Sequence, residues 1–178
     1  MSGLLPVIET QRLILRAIEP GDAAALAANL TPAVTRWLAS WPDPMTPEIA
    51  LARIARSQAA MRRGGHVFYV LERRSDRRVI GGLSGGITAA DRQRMELAYH
   101  LAEDCQGSGY MGEAARAALP VLWSLIPVQV MEAGAQIANA ASFGVMKAMG
   151  MTPVGERLVY SSARDRQEAS QFFEVRRP

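Results

Sequence analysis

The chain has 178 residues, 49% of them apolar, which is ample for one hydrophobic core and short for two. Twenty Lys and Arg against seventeen Asp and Glu leave a formal charge of +3, and no arginine-rich stretch is interleaved with the aromatics that a nucleic-acid platform needs. One cysteine, Cys105, and two histidines exclude a disulfide framework and a zinc site. With no run near the ~18 apolar residues of a membrane span and no basic-then-apolar leader, the chain reads as one cytoplasmic domain over residues 1–178, with neither membrane nor nucleic acid as partner.

In chain order, Leu13, Ile14 and Leu15 suit a short strand, and Pro20 with Asp22 marks a helix start that runs through alanines to about Leu30. Thr31 to Pro47 holds four prolines and two tryptophans and reads as an irregular connector, in which Trp37 and Trp41 suit an apolar wall or packing anchors alike. Glu48 to Arg63 repeats apolar residues at helical spacing, with arginines elsewhere, and is ended by Gly64-Gly65. Val67 to Leu71 and Val79 to Leu83 read as a hairpin around Ser75-Asp76, and the arginines at Arg73 to Arg78 and Arg92 to Arg94 as solvated turns. A strand at Glu96 to Leu101 precedes a helix carrying Ala114, Ala118 and Leu122, which Pro120 should kink or end early. Val128 to Ala133 is a further strand, and Thr152 to Ser161 with Ser170 to Val175 form a closing pair.

The densest chemistry lies at Gln106-Gly107-Ser108-Gly109-Tyr110-Met111-Gly112, between a strand and a helix. Glycines let the backbone approach a ligand closely, and first-turn N–H groups lack intrahelical acceptors, so the segment is a cradle for a pyrophosphate. The same residues satisfy the dinucleotide pattern G-x-G-x-x-G, with Glu132 20 residues beyond Gly112 where a ribose-binding acid would stand. Against that reading, Ala102 to Gln106 separate strand from glycines, and only 46 residues follow Glu132 to complete the sheet.

Beyond the next strand comes Asn139-Ala140-Ala141-Ser142-Phe143-Gly144-Val145-Met146-Lys147-Ala148-Met149-Gly150-Met151. The succession of strand, Gln-x-x-Gly-x-Met turn, helix, strand and Asn-x-x-Ser helix resembles the GCN5-related N-acetyltransferases (GNAT), especially the branch that acetylates ribosomal-protein alanine. Glu9-Thr10-Gln11-Arg12-Leu13-Ile14-Leu15-Arg16 and Glu19-Pro20-Gly21-Asp22 resemble that branch's opening strand and turn, so the likeness spans nearly the whole chain. It implies a mixed α/β (α+β) fold: one central, mostly antiparallel sheet of six to seven strands flanked by helices and splayed at the cofactor cleft.

The resemblance also implies roles. Acetyl-coenzyme A would rest its pyrophosphate on Gln106 to Gly112 and its pantetheine arm along the Glu96 to Leu101 strand, where His100 and Leu101 count as coenzyme-side residues and an N–H near Leu101 meets the developing oxyanion. Asn139 matches the family asparagine that bonds the pantetheine arm, and as a residue type it equally suits a helix cap. Ser142 matches the proton donor to the departing sulfur, with capping of the helix to Met149 as its alternative. Elsewhere in the superfamily a tyrosine seven residues after the asparagine is the acid; Met146 stands there, which closes that route. Lys147 reaches toward coenzyme phosphate or solvent. Glu96 is the base, with His100, of reference pKa about 6.5, as competitor. The acceptor is an amine, whether a protein N-terminus or a small molecule; a homodimer fits this plan, and a non-catalytic acyl-coenzyme A binder is the other reading of the same cleft.

Overall fold

Residues 4–178 are described by a computed structural model; residues 1–3 of the expected domain lie outside the described part. The strands are β1 (Ile8–Glu9), β2 (Leu13–Ala17), β3 (His66–Arg73), β4 (Val79–Ile87), β5 (Arg94–Leu101), β6 (Val130–Gln136), β7 (Thr152–Ser161) and β8 (Arg166–Arg176), and the helices α1 (Ala23–Asn29), α2 (Pro32–Thr35), α3 (Pro47–Arg63), α4 (Tyr110–Leu125) and α5 (Ala140–Ala148). All eight strands form one sheet in the order β1-β2-β3-β4-β5-β6-β8-β7, antiparallel except between β5 and β6. The mixed α/β class and mostly antiparallel sheet are as expected, with one strand more than six to seven. The extra one, β1, has two residues and therefore no periodicity to detect.

Helices α1 and α3 pack together against β3 and β4, while α4 and α5 pack against β2, β5 and β6. Neighbours on β5 show the two faces directly: the Tyr99 hydroxyl bonds to α5, and the adjacent His100 ring lies against Trp41. The core between these layers includes Leu13, Leu15, Ile54, Leu71, Leu83, Met95, Leu122 and Met131, all 1% exposed or less.

Only Arg94–Glu96 of β5 and Val130–Glu132 of β6 are in parallel register. Beyond Glu96, β5 stays with β4 out to Leu101, and β6 stays with β8 out to Gln136, so the strands part and a cleft opens between them. The Ala102 N–H bonds to the Ile80 carbonyl at 2.8 Å, which fixes the phase of the β4–β5 ladder. By antiparallel alternation the N–H and C=O of Tyr99 and Leu101 then point away from β4, into the opening.

Several boundaries move. β6 begins at Val130 rather than Val128, β3, β4 and β8 are longer than their apolar runs, and the 31–47 connector contains the short helix α2. Pro120 does not end its helix: α4 continues to Leu125. Its exposed position leaves the Arg116 carbonyl, which loses its amide partner, open to water. Asp22 and Glu72, both buried, are held by Arg16 at 2.8 and 3.1 Å, which ties the β2–α1 turn to β3.

Tyr69 on β3 is fully buried, its hydroxyl bonds to no described residue, and burial pushes its pKa up to about 12. An unpaired buried hydroxyl costs about 1–3 kcal/mol. Tyr69→Phe should therefore raise the melting temperature in a thermal scan; a lowered one would show that a water satisfies the hydroxyl.

Candidate active site

The turn after β5 is built by two left-handed glycines. Gly107 (φ +75°) and Gly109 (φ +77°) reverse the chain after the 3-10 turn Glu103–Cys105, and Gly109 caps α4. The first helical bond into Gly109 comes from Glu113, so the N–H groups of Tyr110, Met111 and Gly112 are left without intrahelical acceptors. Three aligned donors at a helix N-terminus form an anion site.

The turn does not hold itself. Arg12, between β1 and β2, donates to the Ser108 carbonyl at 2.9 Å, pairs with Glu113 at 2.6 Å, and lies 4.4 Å over the Tyr110 ring. Thr10 donates to the same Glu113 at 2.6 Å and the Arg12 N–H at 2.9 Å. Although burial pushes the Glu113 carboxyl upward, these bonds hold it below its usual pKa range. Thus Glu9-to-Arg16, recognisable in the sequence only as part of a family pattern, braces the anion turn.

The cleft between β5 and β6 encloses 940 Å³. Of the thirteen expected site residues, eleven border it; Ser108 and Lys147 do not. Ser108 presents its carbonyl to Arg12, and Lys147 is exposed in the last turn of α5. Arg116, one turn into α4, borders the cleft in an exposed position and makes no ion pair with any described residue. A coenzyme-sized thioester fits this outline by two features of the chain itself: amides without intrahelical acceptors at one end, and a strand edge leading to them on which only the Leu101 carbonyl is engaged, by Gln106 Nε2 at 3.2 Å.

At the centre, Asn139 is the N-cap of α5, its Oδ1 accepting from the Ser142 N–H at 3.3 Å. The capping alternative thus falls to Asn139 and not to Ser142, which is the third residue of the helix. The Ser142 hydroxyl is engaged by no described residue. Its carbonyl accepts from the Tyr99 hydroxyl at 3.0 Å, a bond that fastens the first turn of α5 onto β5. Burial holds the Tyr99 phenol well above its ordinary pKa, so it stays protonated and able to donate to the Ser142 carbonyl.

On the other face of β5, Glu96 is reachable from the cleft. Desolvation first and the Glu132 carboxylate second lift its pKa above the ordinary range, with Arg157 opposing. Glu132 is itself buried between Arg94 at 3.1 Å and Arg157 at 3.3 Å, so the acid that the dinucleotide pattern would assign to a ribose is taken up in ion pairs. His100 is buried, its Nε2 has no described partner, and burial pushes its pKa down to about 4. It is a neutral wall group beside Trp41, whose ring lies 5.8 Å away. No sequence signal distinguished Tyr99 or Arg116, since each is defined only by what the fold brings opposite it, whereas Trp37 and Trp41, read as an apolar wall or packing anchors, both line the cleft.

A family profile for the acetyltransferase (GNAT) domain matches residues 12–152. No curated protein sequence matches at a significant level. Among solved structures, the chain is similar to a ribosomal-protein-S5-alanine acetyltransferase from Vibrio fischeri, with 20% identity, a TM-score of 0.82 and 96% of each chain covered. It is also similar to the Mycobacterium smegmatis RimJ in complex with CoA-disulfide, with 18% identity, a TM-score of 0.79, and 99% of this chain and 90% of that one covered. A third is the Salmonella typhimurium acetyl transferase that modifies the N-terminal serine of 50S subunit protein L7/L12, with 17% identity, a TM-score of 0.82, and 97% of this chain and all of that one covered. At these identities the likeness is one of fold.

Two substitutions separate the glycine turn from its brace. Gly109→Val forces a β-branched residue into left-handed backbone and should weaken coenzyme A binding about tenfold or more. Arg12→Ala should weaken it by a smaller factor while leaving the helix intact by circular dichroism. Calorimetric titration with coenzyme A reads both, and unchanged affinity in both would move the pyrophosphate away from this turn.

Proposed function

The chain belongs to the acetyltransferase (GNAT) family, and from that premise we propose that it transfers the acetyl group of acetyl-coenzyme A to a primary amine, acting as a single cytoplasmic domain. The observation that carries this reading is the continuity, inside one cleft, of the orphan amides of α4 with the open β5 edge, where the Tyr99 N–H and C=O and the Leu101 N–H have no described backbone partner and only the Leu101 carbonyl is taken, by Gln106 Nε2 at 3.2 Å. Neither a dinucleotide site nor a simple anion pocket requires a strand edge held open in that way.

When bound, acetyl-coenzyme A supplies the activated acetyl thioester. The amides of Tyr110 to Gly112 hold its pyrophosphate, and the outward N–H and C=O of Tyr99 with the N–H of Leu101 pair with its arm as an added strand would, the Leu101 carbonyl being held by Gln106. Asn139 can serve the arm as well, because Oδ1 is spent on the cap while its amide N–H₂ remains unassigned. A backbone N–H of the open β5 edge donates to the carbonyl oxygen as negative charge grows there. The Ser142 hydroxyl, unengaged and carried on backbone held by Tyr99, gives its proton to the departing sulfur and regains one from the nitrogen of the adduct as the amide forms. Glu96 takes the proton of the incoming ammonium directly or through a water; its raised pKa brings it closer to that of the amine and makes it a better base when ionised.

His100 is a poor second base, because protonating a buried imidazole is what its lowered pKa records. Two of the fold relatives named above, from Vibrio fischeri and Salmonella typhimurium, act on ribosomal proteins, which supports a protein N-terminal α-amine, of reference pKa near ~8, as the acceptor class. The other coenzyme reading, a non-catalytic binder, leaves the free Ser142 hydroxyl without a purpose.

Thiol release from acetyl-coenzyme A, followed with peptides, amino acids and polyamines, tests the reading: acceptor-dependent release is expected, and coenzyme binding without release would leave only the binder. Ser142→Ala should lower kcat about tenfold or more with little change in coenzyme affinity. Asn139→Ala should raise the coenzyme KM as well as lower stability, and an effect on stability alone would reduce it to a cap. Glu96→Gln should slow the reaction most below pH 7, where little amine is already neutral, and approach wild type near pH 9. A Glu96→Gln profile parallel to wild type at every pH would remove the base role.

A further inference from the structure

The stretch from α2 to α3 on the acceptor side of the cleft carries arginines that pair with no described carboxylate, its own Asp43 and Glu48 included. Trp37, Ser40 and Trp41 line the cleft, and Trp41 lies against His100, which shares a face of β5 with Glu96 and stands opposite the face that carries α4 and α5. Arg36 stacks on Trp37 at 4.7 Å, and Arg53 stacks on Trp41 at 4.6 Å and donates to the Ser40 carbonyl. Arg56 follows Arg53 one turn along α3. None of the three forms an ion pair with any described residue, whereas eleven other arginines do. Burial first and the neighbouring Arg56 second push the Arg53 pKa down, as expected of a cation short of a counter-charge.

We propose that Arg53, Arg56 and Arg36 form a subsite for acidic residues close behind the acceptor amine, so that the preferred acceptor is a peptide whose N-terminus is followed by Asp or Glu. The proposal rests on the acetyltransferase reading of the same cleft. Within it the charges divide: Glu96 faces the ammonium, while Arg36 and Arg53, stacked on the cleft-lining Trp37 and Trp41, and Arg56 one turn further along α3 stand behind that lining to meet the acceptor's second and later residues. Guanidinium groups carried by two separate elements suit a segment with more than one acid better than a free amino acid. Stacking on the tryptophans fixes two of the guanidinium planes in advance, so less side-chain entropy is lost when a carboxylate docks.

The test compares peptides of one length and one first residue, carrying acidic, neutral or lysine residues at the next three positions. Turnover is read by thiol release and binding by calorimetry on the coenzyme A complex. The acidic peptide should bind about tenfold tighter than the neutral one, and that advantage should collapse at about 1 M salt, where the screening length is about 3 Å. Arg53→Glu/Arg56→Glu should reverse the order of the acidic and lysine peptides while coenzyme affinity holds. Arg56→Gln, at an exposed position, should cost the acidic peptide about threefold. Equal binding of acidic and neutral peptides overturns the subsite, as does loss of coenzyme affinity in the double variant, which would assign the arginines to coenzyme phosphate. Free glutamate used as well as the acidic peptide overturns the peptide assignment. Selective binding of the acidic peptide without any thiol release would leave the subsite standing and defeat the acetyltransferase reading.

Discussion

The site depends on one departure from regular pairing: β5 and β6 share three residues of parallel register and then separate. A sheet that stayed closed there would consume the outward N–H and C=O groups of Tyr99 and Leu101 in a ladder and leave no cleft. Each strand is held on its outer side by a long antiparallel partner, β4 for β5 and β8 for β6, so the parting costs the pairing of only a few residues. On the β6 side Gly134 makes room for a ring, since an added Cβ would lie 2.6 Å from Phe172. The Phe172 ring therefore rests directly on the strand and forms the floor of the opening.

Where the strands still touch, the charges are arranged in pairs of unequal exposure. Glu132 is buried at the junction with Arg94 and Arg157 around it, and Arg94 also reaches Glu174 at 3.0 Å. Glu96, its register partner on β5, is left without a direct ion pair among the described residues and feels Glu132 as a like charge. One carboxylate is thereby committed to ion pairs, while its neighbour, the proposed base, is left unpaired with its pKa raised. The same division recurs at the turn, where Glu113 is committed to Arg12 and Thr10 and the amides beside it stay free.

The features legible in the sequence were those that depend on local spacing. The amphipathic run of α3, the glycine turn into α4 and the Asn-x-x-Ser start of α5 could be read because caps, glycines and helical periodicity act within a few residues. Of the two outcomes Pro120 allowed, an early end did not occur, because on the exposed side of α4 the carbonyl freed by the proline is open to water. The unread part is set by partners far apart in the chain. Arg12 and Glu113 are separated by 101 positions, and Tyr99 and Ser142 by 43, so neither contact leaves a periodic trace. The two competing roles at Asn139 and Ser142 could be sorted only by knowing which side chain the helix uses for its cap.

That sorting bears on the chemistry itself. If Ser142 capped α5, its hydroxyl would accept from a backbone N–H and be turned toward the helix axis, poorly placed to release a proton. With Asn139 as cap, the orphan amide is satisfied by a side chain that has a donor group left over, and the serine hydroxyl is free one turn inside the helix. The Tyr99 bond then fixes the Ser142 backbone relative to β5, the same strand whose edge and whose Glu96 frame the cleft. A shift of α5 along the sheet would have to break that buried hydrogen bond, so the distance between donor and strand is set by the fold, not by the serine. The first turn of α5 thus combines cap, anchor and free hydroxyl in four consecutive residues, and each of the three functions requires that the other two fall on different atoms.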